Sequence, residues 1–289
     1  MVTASRQALL LPYSEVMSEL IEQIRPAIVA VRDGRRGSGS GVVWAANTII
    51  TNHHVVQGET PEIVFVDGRR TTAKVVARDP LNDVVALQVE GAPEPATIGD
   101  SLTLRVGQLV MAIGHPLGVE NAVTTGIISA LPTASDPRAL IRSDLHLNPG
   151  NSGGPLFAAD GRVIGINSMV AGPGTALSVP SSTVQALLSR ASGRTPHLGL
   201  ELTGVTLPLA IRAHVGGGVA TGLLVTAVER GSVADSAGVF PGDIVIGVGD
   251  QDARHPLRLG EALARAGGEH PLNLRMIRGG QLHEIDIAA

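Results

Sequence analysis

Hydrophobic residues in the chain between positions 28 and 179 occur in short runs rich in Val, Ile, Ala and Thr. Gly, Asn, Asp or Pro bounds nearly every run, and these residues favour tight turns. Such runs predict short β-strands, and their close spacing is typical of an all-β barrel or sandwich. The predicted strands are 28–31, 40–44, 48–51, 63–66, 72–77, 84–89, 109–113, 121–131, 139–142, 154–157, 163–167 and 175–179.

Two stretches beside these strands have the three-to-four-residue spacing of apolar positions that predicts an amphipathic helix. The first, 14–25, ends at Pro26, and the second, 181–190, follows Pro180. The segment 192–196 then combines Ser, Gly and Pro, so we expect a linker there.

Beyond this linker the pattern predicts a smaller unit of strands and helices. Its strands are expected at 198–202, 222–229, 243–248, 273–277 and 282–287, and its helices at 232–237 and 257–266. The length of 289 residues also favours more than one domain. We therefore divide the chain into an N-terminal segment with a short helix (1–26), a β-rich domain (27–193) and a C-terminal domain (194–289).

The composition limits the chemistry that these domains can perform. There are no cysteines, so disulfides, thiolate nucleophiles and Cys-ligated metals are excluded, and the nine histidines show no metal-ligand spacing. A net charge of -4 and 2% aromatic residues argue against a nucleic-acid partner. No phosphate-binding Gly-x-x-x-x-Gly-Lys loop is present, so we expect neither a metal nor a nucleotide or other cofactor.

The strongest local signal for catalysis is the run from Asn148 to Leu156, which reads Asn-Pro-Gly-Asn-Ser-Gly-Gly-Pro-Leu. Pro followed by Gly150 suits a turn whose backbone N–H groups, those of Gly150 and Ser152, point inward. Two such donors beside a serine hydroxyl are what an oxyanion hole needs. Taken alone, the run is equally compatible with a polar surface turn.

Candidates for a base and its carboxylate partner lie upstream of this serine. His53 and His54 follow an apolar strand, and Asp79 and Asp83 precede another. Asp79 stands before a proline and is expected to be a solvated turn residue, whereas Asp83 directly precedes the strand and should be partly buried. The order His, Asp, Ser is that of the chymotrypsin-type triad and differs from the order in subtilisin and the α/β-hydrolases.

These motifs together resemble the HtrA (high-temperature-requirement) family of trypsin-like proteases with PDZ domains, from about residue 14 to the end. The resemblance is carried by Gly39-Ser40-Gly41-Val42, Ile50-Thr51-Asn52-His53-His54-Val55-Val56, Asp83-Val84-Val85-Ala86-Leu87, Ile113-Gly114-His115-Pro116, the run from Ser143 to Leu156, and Val163-Ile164-Gly165-Ile166-Asn167. It implies a mainly β protein, in which a chymotrypsin/trypsin-like double β-barrel is followed by an α+β PDZ domain.

The resemblance also implies roles for individual residues. Ser152 would be the nucleophile, His54 the general base and acid, and Asp83 the group that fixes the His54 tautomer, with Gly150 and Ser152 forming the oxyanion hole. Asn151 replaces the aspartate that pairs with a new N-terminus in digestive relatives. We therefore expect regulation without propeptide cleavage, through a flip of the peptide between Pro149 and Gly150.

The chain departs from the family pattern at His53, where Asn is common, and at Leu145 and His146, where small residues are common. We expect His53 to lie on a strand and to point away from Asp83. By analogy, the substrate pocket is lined by Leu147, Ser168 and Met169, which implies small or medium aliphatic side chains at the cleaved position.

In the C-terminal domain, His197-Leu198-Gly199-Leu200 resembles the carboxylate-binding loop of bacterial PDZ domains. Backbone N–H groups of such a loop bind a peptide C-terminus, and the adjoining strand edge accepts the peptide as an added strand. Leu198 and Leu200, together with Leu259 and Leu263, either line the side-chain pocket or belong to the core.

The resemblance implies an ATP-independent endopeptidase that cleaves unfolded or damaged proteins, acts in stress response and protein quality control, and binds peptide C-termini. The alternative is a catalytically weak peptide-binding scaffold or chaperone. A homotrimer is usual in the family, with Tyr13 the sole aromatic residue of the N-terminal segment. The residues show neither a signal peptide nor a membrane-spanning stretch. The resemblance favours the cell envelope or periplasm, and a cytoplasmic protein is equally compatible with the sequence.

Overall fold

The computed structural model describes residues 15–34, 37–114, 122–132, 140–172, 174–192, 198–214, 220–254, 259–260, 262–263 and 272–287. The chain forms two compact units, one made of Met1–Leu131 and Leu140–Ser181 and the other of Pro132–Ala139 and Ser182–Ala289. The expected linker falls mostly on residues 193–197, which lie outside the described residues. The domain boundary at 193/194 therefore stays a prediction.

The first unit opens with helix α1 (15–24), followed by a 3-10 turn over Arg25–Ala27. Ile24 is buried, and a Cβ atom at Gly161 would lie only 2.5 Å from Cδ1 of Leu20. The apolar face of α1 thus packs on the turn around Gly161. The expected helix over 14–25 is confirmed from residue 15 to residue 24, while Arg25 belongs to the 3-10 turn that contains Pro26.

Seven antiparallel strands follow: β1 (Ile28–Asp33), β2 (Gly37–Ala45), β3 (Thr48–Thr51), β4 (Glu62–Phe65), β5 (Arg70–Thr72), β6 (Lys74–Asp79) and β7 (Val84–Gln88). They are hydrogen-bonded in the order β5-β4-β1-β2-β3-β7-β6. Only Ala73 separates the two end strands. Its N–H donates to the carbonyl of Pro61, and the N–H of Val75 donates to that of Glu59, so the sheet curls back on itself.

The interior of this first barrel is filled by apolar side chains, mostly aliphatic ones, together with Phe65. Its buried residues include Val29, Val31, Val43, Ile49, Ile63 and Leu87. A Cβ atom at Gly41 would lie 2.9–3.0 Å from the side chains of Ile49, Val29 and Val31. The Gly-Ser-Gly opening of β2 is therefore needed for close packing of the barrel.

A second barrel is closed by six strands: β8 (Leu109–Gly114), β9 (Ala122–Ala130), β10 (Ile141–Ser143), β11 (Pro155–Ala158), β12 (Val163–Gly172) and β13 (Thr175–Pro180). Their order around the barrel is β10-β13-β12-β11-β8-β9. Val110, Ile128, Leu145, Leu156 and Ile164 are among the residues that fill it. Helix α2 (Ser181–Ala191) follows, and the Ser181 hydroxyl donates to the carbonyl of Gly99 over 2.7 Å.

The C-terminal unit contains β14 (Leu200–Thr206), α3 (Leu209–His214), β15 (Thr221–Val228), α4 (Val233–Ser236), β16 (Ile244–Val248), β17 (Gln251–Asp252), β18 (Leu272–Arg278) and β19 (Gln281–Ile287). Residues 259–260 and 262–263 are helical. The sheet order is β14-β15-β16-β18-β19, with β17 paired to β16. Among the described strands, β14 is thus an edge strand with one free side.

The expected mainly β architecture, two barrels followed by an α+β unit, is confirmed. Two short elements, α3 and β17, were not predicted. None of the described helices combines the length and the apolar character that a membrane span requires.

Candidate active site

His54 and Asp83 come together at the end of the first barrel because β3 pairs with β7, which places Thr51 opposite Val85. His54 Nδ1 lies 2.8 Å from Oδ2 and 3.0 Å from Oδ1 of Asp83, and the backbone N–H of His54 donates to Oδ1 over 3.0 Å. With Nδ1–H as the donor, Nε2 of His54 is the acceptor nitrogen. This is the tautomer that a general base requires.

His53 and His54 do not lie on a strand, and that expectation was wrong. The chain leaves β3 and forms a 3-10 turn over His53–Val55, with the N–H of Val55 bonded to the carbonyl of Asn52. The turn buries Val55 in the first barrel while it brings His54 to Asp83. The Nδ1 atom of His53 contacts Arg78.

Asp83 is held in the left-handed region, at φ +56°. The Asn52 side-chain amide donates to the Asp83 carbonyl over 2.9 Å, and the Ser168 hydroxyl donates to its Oδ2 over 2.6 Å. Burial by itself would raise the pKa of Asp83. The hydrogen bonds from the His54 ring, the Ser168 hydroxyl and the His54 backbone outweigh this effect and hold the pKa below its usual value.

The other candidate carboxylate, Asp79, was expected to be solvated, and the structure corrects this. Asp79 is 9% exposed and accepts hydrogen bonds from the backbone N–H and the side-chain amide of Asn82. It is a turn residue, as expected, but a buried one. Its two hydrogen bonds stabilise the turn that precedes Asp83.

Ser152 enters the site from the second barrel and is fixed by its backbone. The N–H of Ser40 donates to the Ser152 carbonyl over 2.8 Å. Gly153 follows at φ +83°, where a Cβ atom would lie 2.1 Å from both the Ser40 carbonyl oxygen and Thr51 Oγ1. The first glycine after the serine is thus required by backbone conformation and by space.

The hydroxyl of Ser152 donates to the backbone carbonyl of Ser168 over 2.9 Å. Ser168 therefore contacts both halves of the site, since its hydroxyl donates to Asp83 and its carbonyl accepts from Ser152. A rotation of the Ser152 side chain away from this carbonyl is needed before Oγ can donate to His54 Nε2.

The turn before Ser152 has its glycine at positive φ, as the Pro-Gly sequence predicted. Gly150 adopts φ +102°, and its carbonyl accepts a hydrogen bond from the Ser40 hydroxyl over 2.7 Å. Within the described part of the chain, the N–H groups of Gly150 and Ser152 donate to no acceptor. Asn151 is 1% exposed, and neither of its amide atoms has a partner among the described residues.

Of the expected pocket residues, Leu147 is half-buried against the core of the second barrel and Met169 is partly exposed. Ser168 is buried, and its hydroxyl points to Asp83. Its hydroxyl therefore supports Asp83, and its place in the substrate pocket stays a prediction. Leu145 is buried in the second barrel, and His146 is exposed.

The expected carboxylate-binding loop of the C-terminal unit is described from Leu198 onward, and His197 lies outside the described residues. Gly199 adopts φ +73°, where a Cβ atom would lie 2.3 Å from the Ser232 side chain. Leu198, Leu259 and Leu263 are each 5% exposed and belong to one core cluster, against which Leu200 packs.

Two contacts of Asp83 were not predicted from the sequence, those made by the Asn52 amide and by the Ser168 hydroxyl. Asn52 carries a weak signal, since a polar side chain at the end of an apolar strand needs a partner. Ser168 carries none, because it lies 85 positions from Asp83 in the sequence. In the described residues, no group of three or more His, Asp or Glu side chains could hold a metal ion.

Comparison with known proteins identifies the two domains. A trypsin-like peptidase domain matches residues 39–166, and a PDZ domain matches residues 224–278. The chain is 35% identical to the putative serine protease HhoB of Synechocystis sp., over 84% of this chain and 64% of the relative. It is 33% identical to the putative serine protease HhoA of the same organism, over 84% of this chain and 68% of the relative.

Solved structures give the same result. An HtrA-type protease, AlgW with a tripeptide, superimposes with a TM-score of 0.67 at 29% identity, over 93% of this chain and 95% of that one. The chain spans just under two thirds of the length of HhoB and of the Do-like HtrA protease of Bacillus subtilis. By fold, domain content and sequence identity, the chain belongs to the HtrA family of trypsin-like serine proteases with a PDZ domain.

Proposed function

We propose that the chain is an ATP-independent serine endopeptidase that cleaves unfolded or damaged proteins. The observation that carries this proposal is the pairing of His54 with both carboxylate oxygens of Asp83, while Ser168 joins Asp83 to Ser152. A scaffold that only bound peptides would have no need of a histidine tautomer fixed by a carboxylate of lowered pKa.

The reaction would begin when Ser152 Oγ leaves the Ser168 carbonyl and attacks the scissile carbonyl carbon, as its proton passes to His54 Nε2. The N–H groups of Gly150 and Ser152 would stabilise the resulting oxyanion. His54 then protonates the leaving amine as the C–N bond breaks, and a water molecule hydrolyses the acyl-enzyme by the same route in reverse order. Asp83 stays ionised throughout.

We further propose that activity is regulated at the turn before Ser152, without propeptide cleavage. The neutral amide of Asn151 cannot form an ion pair with a new N-terminus, and the Ser40 hydroxyl bonds the Gly150 carbonyl. A flip of the peptide between Pro149 and Gly150 would alter the oxyanion donors. Crystal structures with and without a covalent inhibitor should differ in the orientation of Gly150, and identical orientations would contradict this mechanism.

For the C-terminal unit we propose capture of peptide C-termini along the free edge of β14. The supporting observation is that Gly199 holds a left-handed conformation next to Ser232 at the start of this strand. Leu147, Ser168 and Met169 remain proposed pocket residues. Assembly as a homotrimer, a role in stress response and a location in the cell envelope remain proposals drawn from the family.

The test is degradation of casein by the wild-type chain and by Ser152→Ala. Wild type should cleave casein without ATP, and Ser152→Ala should lose the activity by a factor of ~10⁴ or more. Equal cleavage by both proteins would refute the mechanism. Absence of cleavage by both, with retained peptide binding, would favour the scaffold or chaperone instead.

A further inference from the structure

Charged side chains hold the backbone of the segment that follows the His54 turn, residues 56–58. Asp33, at the end of β1, lies on one side of this segment. Its Oδ2 accepts hydrogen bonds from the N–H groups of Gln57, over 2.6 Å, and Gly58, over 2.7 Å. A Cβ atom at Gly58 would lie 2.9 Å from Asp33 Oδ1, so the glycine allows this close approach.

Arg78, in β6, lies on the other side of segment 56–58, and its side chain is 20% exposed. Its Nη1 donates to the carbonyl of Val56 over 2.7 Å, and its Nη2 donates to the carbonyl of Gly58. Nη2 also lies 3.2 Å from Oε1 of Glu59. Nη1 is 3.3 Å from Nδ1 of His53, and since a guanidinium only donates, this ring nitrogen must be the acceptor.

The two side chains are complementary in what they bind. Asp33 accepts hydrogen bonds from N–H groups of the segment, and Arg78 donates hydrogen bonds to its carbonyls. The segment is thus fixed without a neighbouring strand. Arg78 also contacts His53, the residue directly before His54. Consequently the 3-10 turn that carries His54 is anchored to Arg78 through its first residue, His53, and through Val56, the residue directly after it.

We propose that Arg78 and Asp33 are positioning residues for catalysis, which clamp segment 56–58 and thereby keep the His54 ring in register with Asp83 and Ser152. This inference rests on the proposed roles of His54, Asp83 and Ser152. Neither clamp residue touches the reacting atoms. A displacement of about 1 Å at a catalytic group can reduce the rate ~10²-fold, so the clamp governs kcat and leaves substrate binding unchanged.

The experiment compares Arg78→Met, Arg78→Lys and Asp33→Asn with wild type in the full chain. Two rates are measured: turnover of fluorescein-labelled casein, split into kcat and KM, and covalent labelling of Ser152 by a fluorophosphonate. The labelling needs no bound polypeptide and reports directly on the serine and its base. Thermal unfolding, followed by circular dichroism, gives the folded fraction with which both rates are corrected.

Arg69 provides a matched control on the same barrel. It also bonds a carboxylate and a carbonyl, those of Asp67 and Gly91, and among the described residues none of its side-chain hydrogen bonds goes to segment 56–58. Arg69→Met should therefore leave kcat and the labelling rate unchanged. Ser152→Ala is the control for the proposed function, since it must abolish labelling.

In Arg78→Met we expect kcat and the labelling rate to fall ~10–100-fold with KM within about twofold of wild type. The kcat and labelling rate of Arg78→Lys should lie between those of wild type and Arg78→Met, because an ammonium cannot bond both carbonyls in the fork geometry of a guanidinium. If Arg78→Met does not fold, Arg78→Lys and Asp33→Asn carry the test. Labelling of these variants at the wild-type rate, with Ser152→Ala unlabelled, would overturn the clamp alone. Labelling of Ser152→Ala at the wild-type rate would overturn the proposed function as well.

Discussion

Ser168 contributes two groups to the site, and they have separable consequences. Its carbonyl belongs to the backbone and survives any substitution, whereas its hydroxyl can be removed. In Ser168→Ala, Asp83 loses a 2.6 Å hydrogen bond that lowers its pKa, while Ser152 keeps its acceptor. A substitution of Ser168 therefore tests the hydrogen bond to Asp83 without removing the acceptor of the Ser152 hydroxyl.

We expect Ser168→Ala to lower kcat about tenfold at unchanged KM, because a hydrogen bond to a charged group contributes ~1.5–3 kcal/mol. The pKa of Asp83 should rise. A carboxylate of lowered pKa stabilises the fold above its unfolded pKa, ~3.9, and this stabilisation is lost as the pH falls through the folded value. In the variant the folded pKa lies closer to the unfolded one, so the loss of stability on acidification should be smaller and should be complete at a higher pH.

The measurements are casein kinetics and urea unfolding as a function of pH. Ser178→Ala is the control, since Ser178 is buried in the neighbouring strand and bonds Asn167 and not Asp83. If Ser168→Ala kept both the wild-type kcat and the wild-type loss of unfolding free energy at acidic pH, Ser168 would not support Asp83.

Gly153 and Gly68 separate backbone strain from steric exclusion. They have nearly the same φ, +83° and +84°, but a Cβ atom at Gly68 meets nothing within 4 Å, whereas at Gly153 it meets the Ser40 carbonyl and Thr51 Oγ1 at 2.1 Å. We expect Gly68→Ala to cost ~1 kcal/mol of unfolding free energy. Gly153→Ala should cost several times more and abolish fluorophosphonate labelling. Similar urea midpoints for both variants would show that the close approach at Gly153 is not maintained.

At the level of elements, the sequence predicted those strands whose side chains alternate or run apolar across a barrel wall. β3 was predicted at its observed bounds, 48–51, because its burial is decided locally. The turn over His53–Val55 was not predicted, because its hydrogen bonds lie within three residues while its cause, the burial of Val55 and the pairing with Asp83, is tertiary. Helix α3 has only six residues, too few for a period to show.

The ion pair between Arg278 and Asp243 ties the end of β18 to the start of β16. Arg278 Nε and Nη2 donate to the two carboxylate oxygens over 2.7 Å, and Nη2 also donates to the carbonyl of Gly238. Burial would raise the pKa of Asp243, but the Arg278 hydrogen bonds and the Phe240 N–H hold it below its usual value. The Asp243 side chain is 3% exposed, so the loss of its partner would leave a buried charge.

Arg278→Met should therefore destabilise the C-terminal unit by about 2 kcal/mol at neutral pH, less than a fully buried pair because Arg278 is itself one third exposed. The sign of the pH dependence follows from the lowered pKa. The stabilisation is complete above the unfolded pKa of ~3.9 and is lost as the pH falls through the lower folded value. Urea unfolding at pH 7 and below pH ~3 should show the difference shrinking.

The pair between Arg162 and Asp160 is exposed and serves as the comparison; here Nε and Nη2 of the arginine both donate to the same carboxylate oxygen. Its Asp160→Asn variant should unfold like wild type at neutral pH, because exposed ion pairs are screened by water. If Arg278→Met also unfolded like wild type, the buried pair would have no role in stability.

At the scale of the whole molecule, two units with separate cores combine a proposed hydrolytic site with a proposed peptide-binding edge. The sequence predicted this combination because each unit has its own motif. It did not predict how Ser168 serves Asp83, since that contact depends on the packing of two barrels. Local motifs thus identify the candidate catalytic residues, whereas the hydrogen bonds that join them to residues such as Ser168 are seen only in the folded structure.

The role of the second unit can be tested with one pair of peptides. A fluorescent peptide with a free C-terminus should bind the Ser152→Ala chain, since consecutive N–H groups of the loop at Leu198–Leu200 would bond the carboxylate. The same peptide with an amidated C-terminus lacks that charge and should bind at least ~10-fold more weakly, because each charge-assisted hydrogen bond contributes ~1.5–3 kcal/mol. Anisotropy titrations measure both affinities, and Ser152→Ala excludes cleavage as a cause of the difference. Equal affinities would show that the loop does not recognise C-termini. Peptide bound in that case would have to be held by the free edge of β14 alone, through its main chain and without regard to its end.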